Sequence, residues 1–190
     1  MISTAHRRRA AALPVAERRR RIIEATLPLL LEHGTDLTTR QIADAAGIAE
    51  GTIFRAFPDK ESVIDAVIEA AFDPTPFEAA LDSIDASAPL ETRLEVAVEL
   101  LQRRVERLGE LMTAAGRVGP PTDPDRRPPT SLGALERVIA PDAAQLRIDP
   151  PTCARLLRGL TFASTHPAFA TDGPETPAAI VAVLLDGVRC

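Results

Sequence analysis

The residues that could carry out a reaction are scattered through this 190-residue chain. His6, His33 and His166 stand far apart, without the HExxH spacing that sets two imidazoles on one helix face around zinc. Cys153 and Cys190 have no partner at metal-ligand spacing, and two cysteines are too few for a disulfide framework. No glycine-rich phosphate loop is present. Asp82 with Asp85, and Glu91 with Glu95, are three and four residues apart, the spacing of solvated helix faces more than of acid–base pairs. Cys153 and Phe162 fit a core or a pocket wall better than a nucleophile or a cofactor platform. An enzyme, a metal and a cofactor are therefore not expected.

What remains is recognition of a polyanion. The net charge is -5, but it is unevenly placed. Residues 1–60 hold ten Lys and Arg against seven Asp and Glu, a balance of +3, and residues 61–190 carry -8. The first 21 residues alone hold seven arginines and one acid. A basic front on an acidic body points to a front end that meets phosphate. Arg7, Arg8 and Arg9 lie before Pro14, so residues 1–14 read as a flexible basic arm of the kind that enters a minor groove. A solubilising tail is the other reading of the same residues.

Thr38 to Phe57, TTRQIADAAGIAEGTIFRAF, is the stretch best suited to hold such a surface. Thr38 and Gln41 have capping-box spacing. Ile42 and Ala45, with Ala46 beside them, give the first helix its apolar side. Gly47 is the residue type that ends a helix in the left-handed conformation. Ile53 and Phe57, four apart, share the face of a second helix. Glu50, Gly51, Thr52, Arg55 and Ala56 then point elsewhere, mostly small and with one long cation, as a helix approaching a duplex requires. Spacing alone leaves open a surface helix of any small helical domain.

Helices on both sides must position this pair. Residues 17–32 form one, with Ile22, Ile23, Leu27, Leu30 and Leu31 as its buried face. Arg18 to Arg21 oppose its dipole at a few tenths of a kcal/mol each, which nearby phosphates would offset. Pro28 should kink it, and Gly34 stops it. Asp59 caps the next helix, whose buried face is Val63, Ile64, Val67, Ile68, Ala71 and Phe72.

The body, residues 74–190, reads as helices throughout. Thr75-Pro76 opens one that runs to about Asp85. Ser87 to Leu108 is the longest, and Leu132 to Ile139 is short. Asp149-Pro150 opens a helix ending near His166, and Thr176-Pro177 opens the last. Residues 116–130 hold five prolines and read as an extended or disordered loop. The final two helices are apolar over more than one face, so a four-helix contact between two copies would bury the surplus. A fully intramolecular core is the alternative. No apolar run reaches membrane-span length and no signal peptide is evident, so a cytoplasmic protein is expected.

Gly34, the Thr38 pair, Gly47-Ile48, Gly51-Thr52-Ile53-Phe54, Phe57 and Lys60-Glu61 occur in the order of the TetR family of transcriptional repressors, which residues 16–72 resemble. The resemblance implies an all-α homodimer. Residues 15–73 would be a three-helix helix-turn-helix domain, with the helix-turn-helix itself at 38–57. Residues 74–190 would be a C-terminal helical ligand-binding and dimerisation domain, paired through the last two helices.

It also implies a repressor bound to double-stranded DNA at a palindromic operator and released by a small molecule that the sequence does not identify. Thr38, Thr39, Arg40 and Lys60 would meet phosphate, Gly51 would permit close approach, and Thr52 and Arg55 would reach base edges. Three positions depart from the family pattern. Phe54 stands where a tyrosine is usual, Ala49 where a polar cap is usual, and Glu50 where several members carry a cation. Phe54 and Glu50 nevertheless lie in the expected contact surface. The ligand pocket would be apolar, drawn from Leu94, Val98, Leu101, Val105, Leu156, Leu160 and Phe162. A helical ligand-binding dimer with weak or lost operator binding is the alternative.

Overall fold

The computed structural model describes residues 14–117, 132–167, 169 and 173–189. Among them there are helices and turns but no strand, apart from a single antiparallel bridge between Leu146 and Arg189. The all-α expectation holds. The chain divides into two compact units at Val67–Ile68.

The first unit is built on α1, Val15–His33. A single 3-10 turn, Gly34–Asp36, leads to α2, Thr39–Ala46, and then to the short α3, Glu50–Ile53. α4, Lys60–Phe72, begins in this unit. Gly34 ends α1 at φ 57°, as its type allows.

The buried stripe of α1 is Ile22, Thr26 and Leu30, strictly four apart. Leu27 and Leu31, expected inside, are 37% and 47% exposed. Thr26 takes the inner position because its hydroxyl donates to the Ile22 carbonyl at 2.6 Å. That bond satisfies it within its own helix, so it packs like an apolar residue. The helix runs unbroken through Pro28, which sits on the exposed side with Glu24. Water can reach a carbonyl left without its amide there.

The capping box of α2 is fully formed. The Gln41 amide donates to Thr38 Oγ1 at 3.3 Å, and the Thr38 amide donates to Gln41 Oε1 at 2.9 Å. Gly47 closes the helix at φ 65°. Ile42 and Ala43 are buried, whereas Ala45, expected on the inner side, is exposed. Ile53, Phe57, Val63 and Ile64 complete the core of this unit.

The second unit is α5, Thr75–Asp82, α6, Leu90–Ala114, α7, Leu132–Ile139, α8, Pro150–Thr165, and α9, Pro177–Val188. α6, α7, α8 and α9 pack on one another around an aliphatic core that includes Leu94, Val98, Leu135, Leu157 and Leu184. Asp149 caps α8 by accepting from the Thr152 amide at 2.7 Å, and Thr176 caps α9 by accepting from Ala179 at 3.2 Å.

Four boundaries differ from expectation, the first three for a local reason. Thr75 does not cap α5. It donates its amide and hydroxyl to Asp73, at 2.9 and 2.7 Å. The segment after Asp82 turns because the Asp85 carboxylate accepts from both the amide and hydroxyl of Ser87, at 2.9 and 2.7 Å. Helix α6 therefore begins only at Leu90, behind Pro89, and then continues past Leu108 to bury Leu111. The proposed loop at 116–130 falls almost wholly, and the basic arm at 1–14 all but Pro14, outside the described residues. Among the described residues no helix is long and apolar enough to cross a membrane.

Candidate nucleic-acid interface

Helix α3 is one turn long, and Ala49 gives its amides no side-chain cap. Such a helix does not hold itself. Its inner side is anchored by Ile53 and Phe57, both at most 2% exposed. Its ends are tied by polar contacts to other helices. At the leading end, the Thr39 hydroxyl donates to the Glu50 carboxylate. At the trailing end, an Arg19 guanidinium nitrogen donates to the Ala56 carbonyl, and the same guanidinium lies 4.0 Å over the Phe57 ring. Beyond the turn, Lys60 Nζ donates to the Thr35 carbonyl at 2.9 Å, and the Asp59 carboxylate caps α4 through the Ser62 amide at 2.7 Å. These Ser62 contacts hold the Asp59 carboxyl below its ordinary range.

The outer side presents Gly51, Phe54 and Arg55 to solvent, with Thr52 half-buried. A Cβ on Gly51 would meet nothing within 4 Å, so no internal packing requires glycine there and the backbone is open to close approach from outside. Arg40 is exposed on α2. Thr38 spends its hydroxyl on the capping box, donating to Gln41 Oε1 at 2.7 Å. Phe54 is 51% exposed and offers no polar atom.

The expected contact residues thus gather on one unit, but their roles divide. Gly51, Thr52, Arg55 and Arg40 stand on its surface. Thr38, Thr39, Glu50 and Lys60 are occupied in holding the unit together. The Arg18–Arg21 run is also partly occupied. Arg20 pairs with Glu17 at 2.8 Å and Glu24 at 2.6 Å, and Arg19 clasps the α3 turn. Sequence spacing missed Arg19, since its partner is 37 residues away.

The seven residues from which a ligand pocket was expected to be drawn differ in exposure. Leu94, Val98 and Leu101 are buried in the core, with Leu160 packed against it. Val105 is half-buried, while Leu156 and Phe162 are 48% and 42% exposed on α8. Heptad-like spacing identifies an apolar face but does not say whether it meets a cavity, a core or solvent. Two hollows do lie beside α5 and α6, of about 220 and 380 Å³, and both are lined by Ile84 and Arg93. None of the seven lines either.

Arg93 is a residue that sequence reasoning missed. It is 3% exposed and donates to the carbonyls of Val138 at 3.2 Å and of Ala86 and Ala88 at 3.2 and 2.7 Å, and to the Asp142 carboxylate. A buried guanidinium with its donors this fully used is a structural staple.

A sequence model for bacterial regulatory proteins, tetR family, matches residues 22–67, the helices just described. The HTH-type transcriptional repressor KstR of Mycobacterium tuberculosis is 31% identical over 103 residues, covering 52% of this chain and 46% of KstR. KstR2 of Rhodococcus jostii, also an HTH-type transcriptional repressor, is 39% identical over 57 residues, 30% of this chain and 28% of KstR2. The chain thus spans less than half the length of these relatives. A TetR-family regulator from Mesorhizobium loti shares the fold, with TM-score 0.63 and 20% identity over 94% of this chain and all of that one. Helix order, capping and the match over residues 22–67 give α1, α2, α3 and the first part of α4 the pattern of the tetR family of bacterial regulatory proteins, and the chain as a whole shares the fold of that family's solved structures.

Proposed function

We propose that this protein is a cytoplasmic transcriptional repressor that binds a palindromic operator as a homodimer and is released from it by a small molecule. The observation that carries this reading is the reading turn itself. Gly51 and Thr52 stand on the outer side of α3 and Arg55 on the turn that follows it, a segment tied at both ends, as base-edge recognition requires. Arg55 has the reach and the forked donors for guanine, and Thr52 a methyl and a hydroxyl for thymine or adenine. Arg40 and the remaining donors of Lys60 would meet phosphate.

A dimer is supported by the second unit. Leu156, Phe162 and Val183, on α8 and α9, are 48%, 42% and 54% exposed, and α9 meanwhile buries Ile180, Val181, Leu184 and Leu185 inward. The surplus apolar face is what a four-helix contact between copies would bury. The ligand would enter this unit, where the two hollows sharing Ile84 and Arg93 stand as candidates beside the seven apolar residues.

The test is a gel shift of the purified protein on the DNA upstream of its own coding region, across a salt series. The expected result is a sequence-selective complex that weakens steeply with salt. An equal, weak shift on every duplex would count against it. That outcome would favour the second reading, a helical ligand-binding dimer without operator control. The acid at Glu50 and the apolar Phe54, 51% exposed on the reading turn, are what favour this second reading.

A further inference from the structure

Glu50 is the anomaly of the reading head. It is an exposed acid on the first residue of α3, and any surface that meets phosphate should avoid one. Two roles would excuse it. It could accept from a cytosine amine, or it could act on the protein itself. The geometry points to the second. We propose that Glu50 is a positioning residue, which acts through Thr39 to set the leading end of the reading helix and reads no base. The proposal rests on the DNA-binding function put forward above.

Thr39 is the first residue of α2 and Glu50 the first of α3, so one hydrogen bond joins the leading ends of the two helices. It does so where the ordinary device is missing. Ala49 has no side-chain oxygen, and no side chain caps α3. The Glu50 carboxylate lies in the first turn, where the helix dipole favours it even without bonding an amide. The contact also answers for Thr39. A hydroxyl has a single proton. While that proton goes to Glu50 it cannot go to a phosphate, so the phosphate contact expected of Thr39 would have to displace Glu50. The trailing end has its own tie in Arg19 on Ala56, so the leading end is the one that Glu50 controls.

Glu50→Gln and Glu50→Ala remove the same charge, but only Gln keeps an acceptor oxygen for Thr39. The difference between them therefore isolates the tie from phosphate repulsion. The full-length protein and each variant would first select duplexes from a randomised pool. Affinities would then be measured on the duplex that the wild type prefers.

The expected result is that Gln keeps the wild-type base preferences and binds at least as tightly as wild type. Ala should bind about two- to tenfold more weakly than Gln, the usual worth of one hydrogen bond. In a Thr39→Val background the Gln–Ala difference should vanish. A changed base preference in Glu50→Gln, or a Gln–Ala difference that persists in Thr39→Val, would overturn the proposal.

Amide hydrogen exchange on the DNA-free protein separates this from the DNA-binding reading. Thr39→Val and Glu50→Ala should each speed exchange at residues 51–53 several-fold, and the double variant no further. If the wild type selects no sequence, the repressor reading fails while this measurement still decides the tie. Unchanged exchange in both single variants would refute it.

Discussion

Both units tie helix ends with polar side chains, but among the described residues only the second buries a charge. In the first, polar groups work at the edges. The Thr38–Gln41 box, the Thr39–Glu50 tie, Lys60 on Thr35 and Arg19 on Ala56 are all at helix ends, and all their side chains lie near solvent, whereas the buried Thr26 is satisfied within its own helix. In the second, one cation is taken inside. Arg93 joins α6 to the end of α7 and to Asp142, while the surrounding core is aliphatic. The lesson concerns what each unit can lose. Edge contacts exchange with water and can be traded one at a time, and they leave surface free for a partner. A buried guanidinium has no such substitute, so it fixes its neighbours.

Breaking the comparison should therefore hurt the body most. Arg93→Met would leave the carbonyls of Ala86, Ala88 and Val138 without this donor and the Asp142 carboxylate with only the neutral Gln145 amide. A loss of about 3–5 kcal/mol is expected, read as a fall in the denaturant midpoint by circular dichroism. Arg20→Met in the head, whose ion pairs are 58% exposed on the arginine side, should leave that midpoint unmoved. Equal losses would erase the contrast.

On the head, Arg55→Ala should cost about 1–3 kcal/mol of binding, concentrated at one base pair of the operator. Lys60→Ala should weaken all sequences alike and lower the salt slope by about one. Fluorescence anisotropy on a set of single-substitution duplexes distinguishes the two. Equal relaxation of specificity by both variants would show their roles to be misassigned.

Thr38→Ala removes the hydroxyl half of the capping box and should cost about 1 kcal/mol of stability. Thermal unfolding of the full chain measures it. The smallest effect concerns pH. Asp59 and Asp149 have carboxyls held below their ordinary range, chiefly by hydrogen bonds from Ser62 and Thr152. A lowered folded value means that their contribution is whole above the unfolded value of about 3.9 and is lost as pH falls below it. The double variant Asp59→Asn, Asp149→Asn should flatten the acid limb of the stability curve between about pH 4 and 2, and leave neutral pH nearly unchanged. A limb as steep as wild type would contradict this.

How much was legible in sequence follows the same divide. The capping box, Gly47, the Asp59, Asp149 and Thr176 caps and the inner pair Ile53–Phe57 all lie within four residues of their partners, and spacing reveals such contacts. Thr26 hid among leucines because its hydroxyl is satisfied by its own helix. The start of α6 was displaced because Asp85 and Ser87 prefer their own turn. The Thr39–Glu50 tie spans 11 residues and the Arg93–Asp142 pair 49, and no local pattern marks either. What an apolar face meets was least legible. An apolar stripe on α6 or α8 looks the same whether it meets a core, as Leu94 does, or solvent, as Leu156 does.

The central claim is that the outer side of a tied-down α3 selects DNA sequence. Selection from a randomised duplex pool by the full-length protein, run beside Arg55→Ala, tests it most directly. The account predicts that wild type enriches inverted half-sites about one helical turn apart, roughly 34 Å, or a multiple of it. Arg55→Ala should lose preference at one position in each half. No enrichment by wild type, or identical enrichment by both proteins, would contradict it.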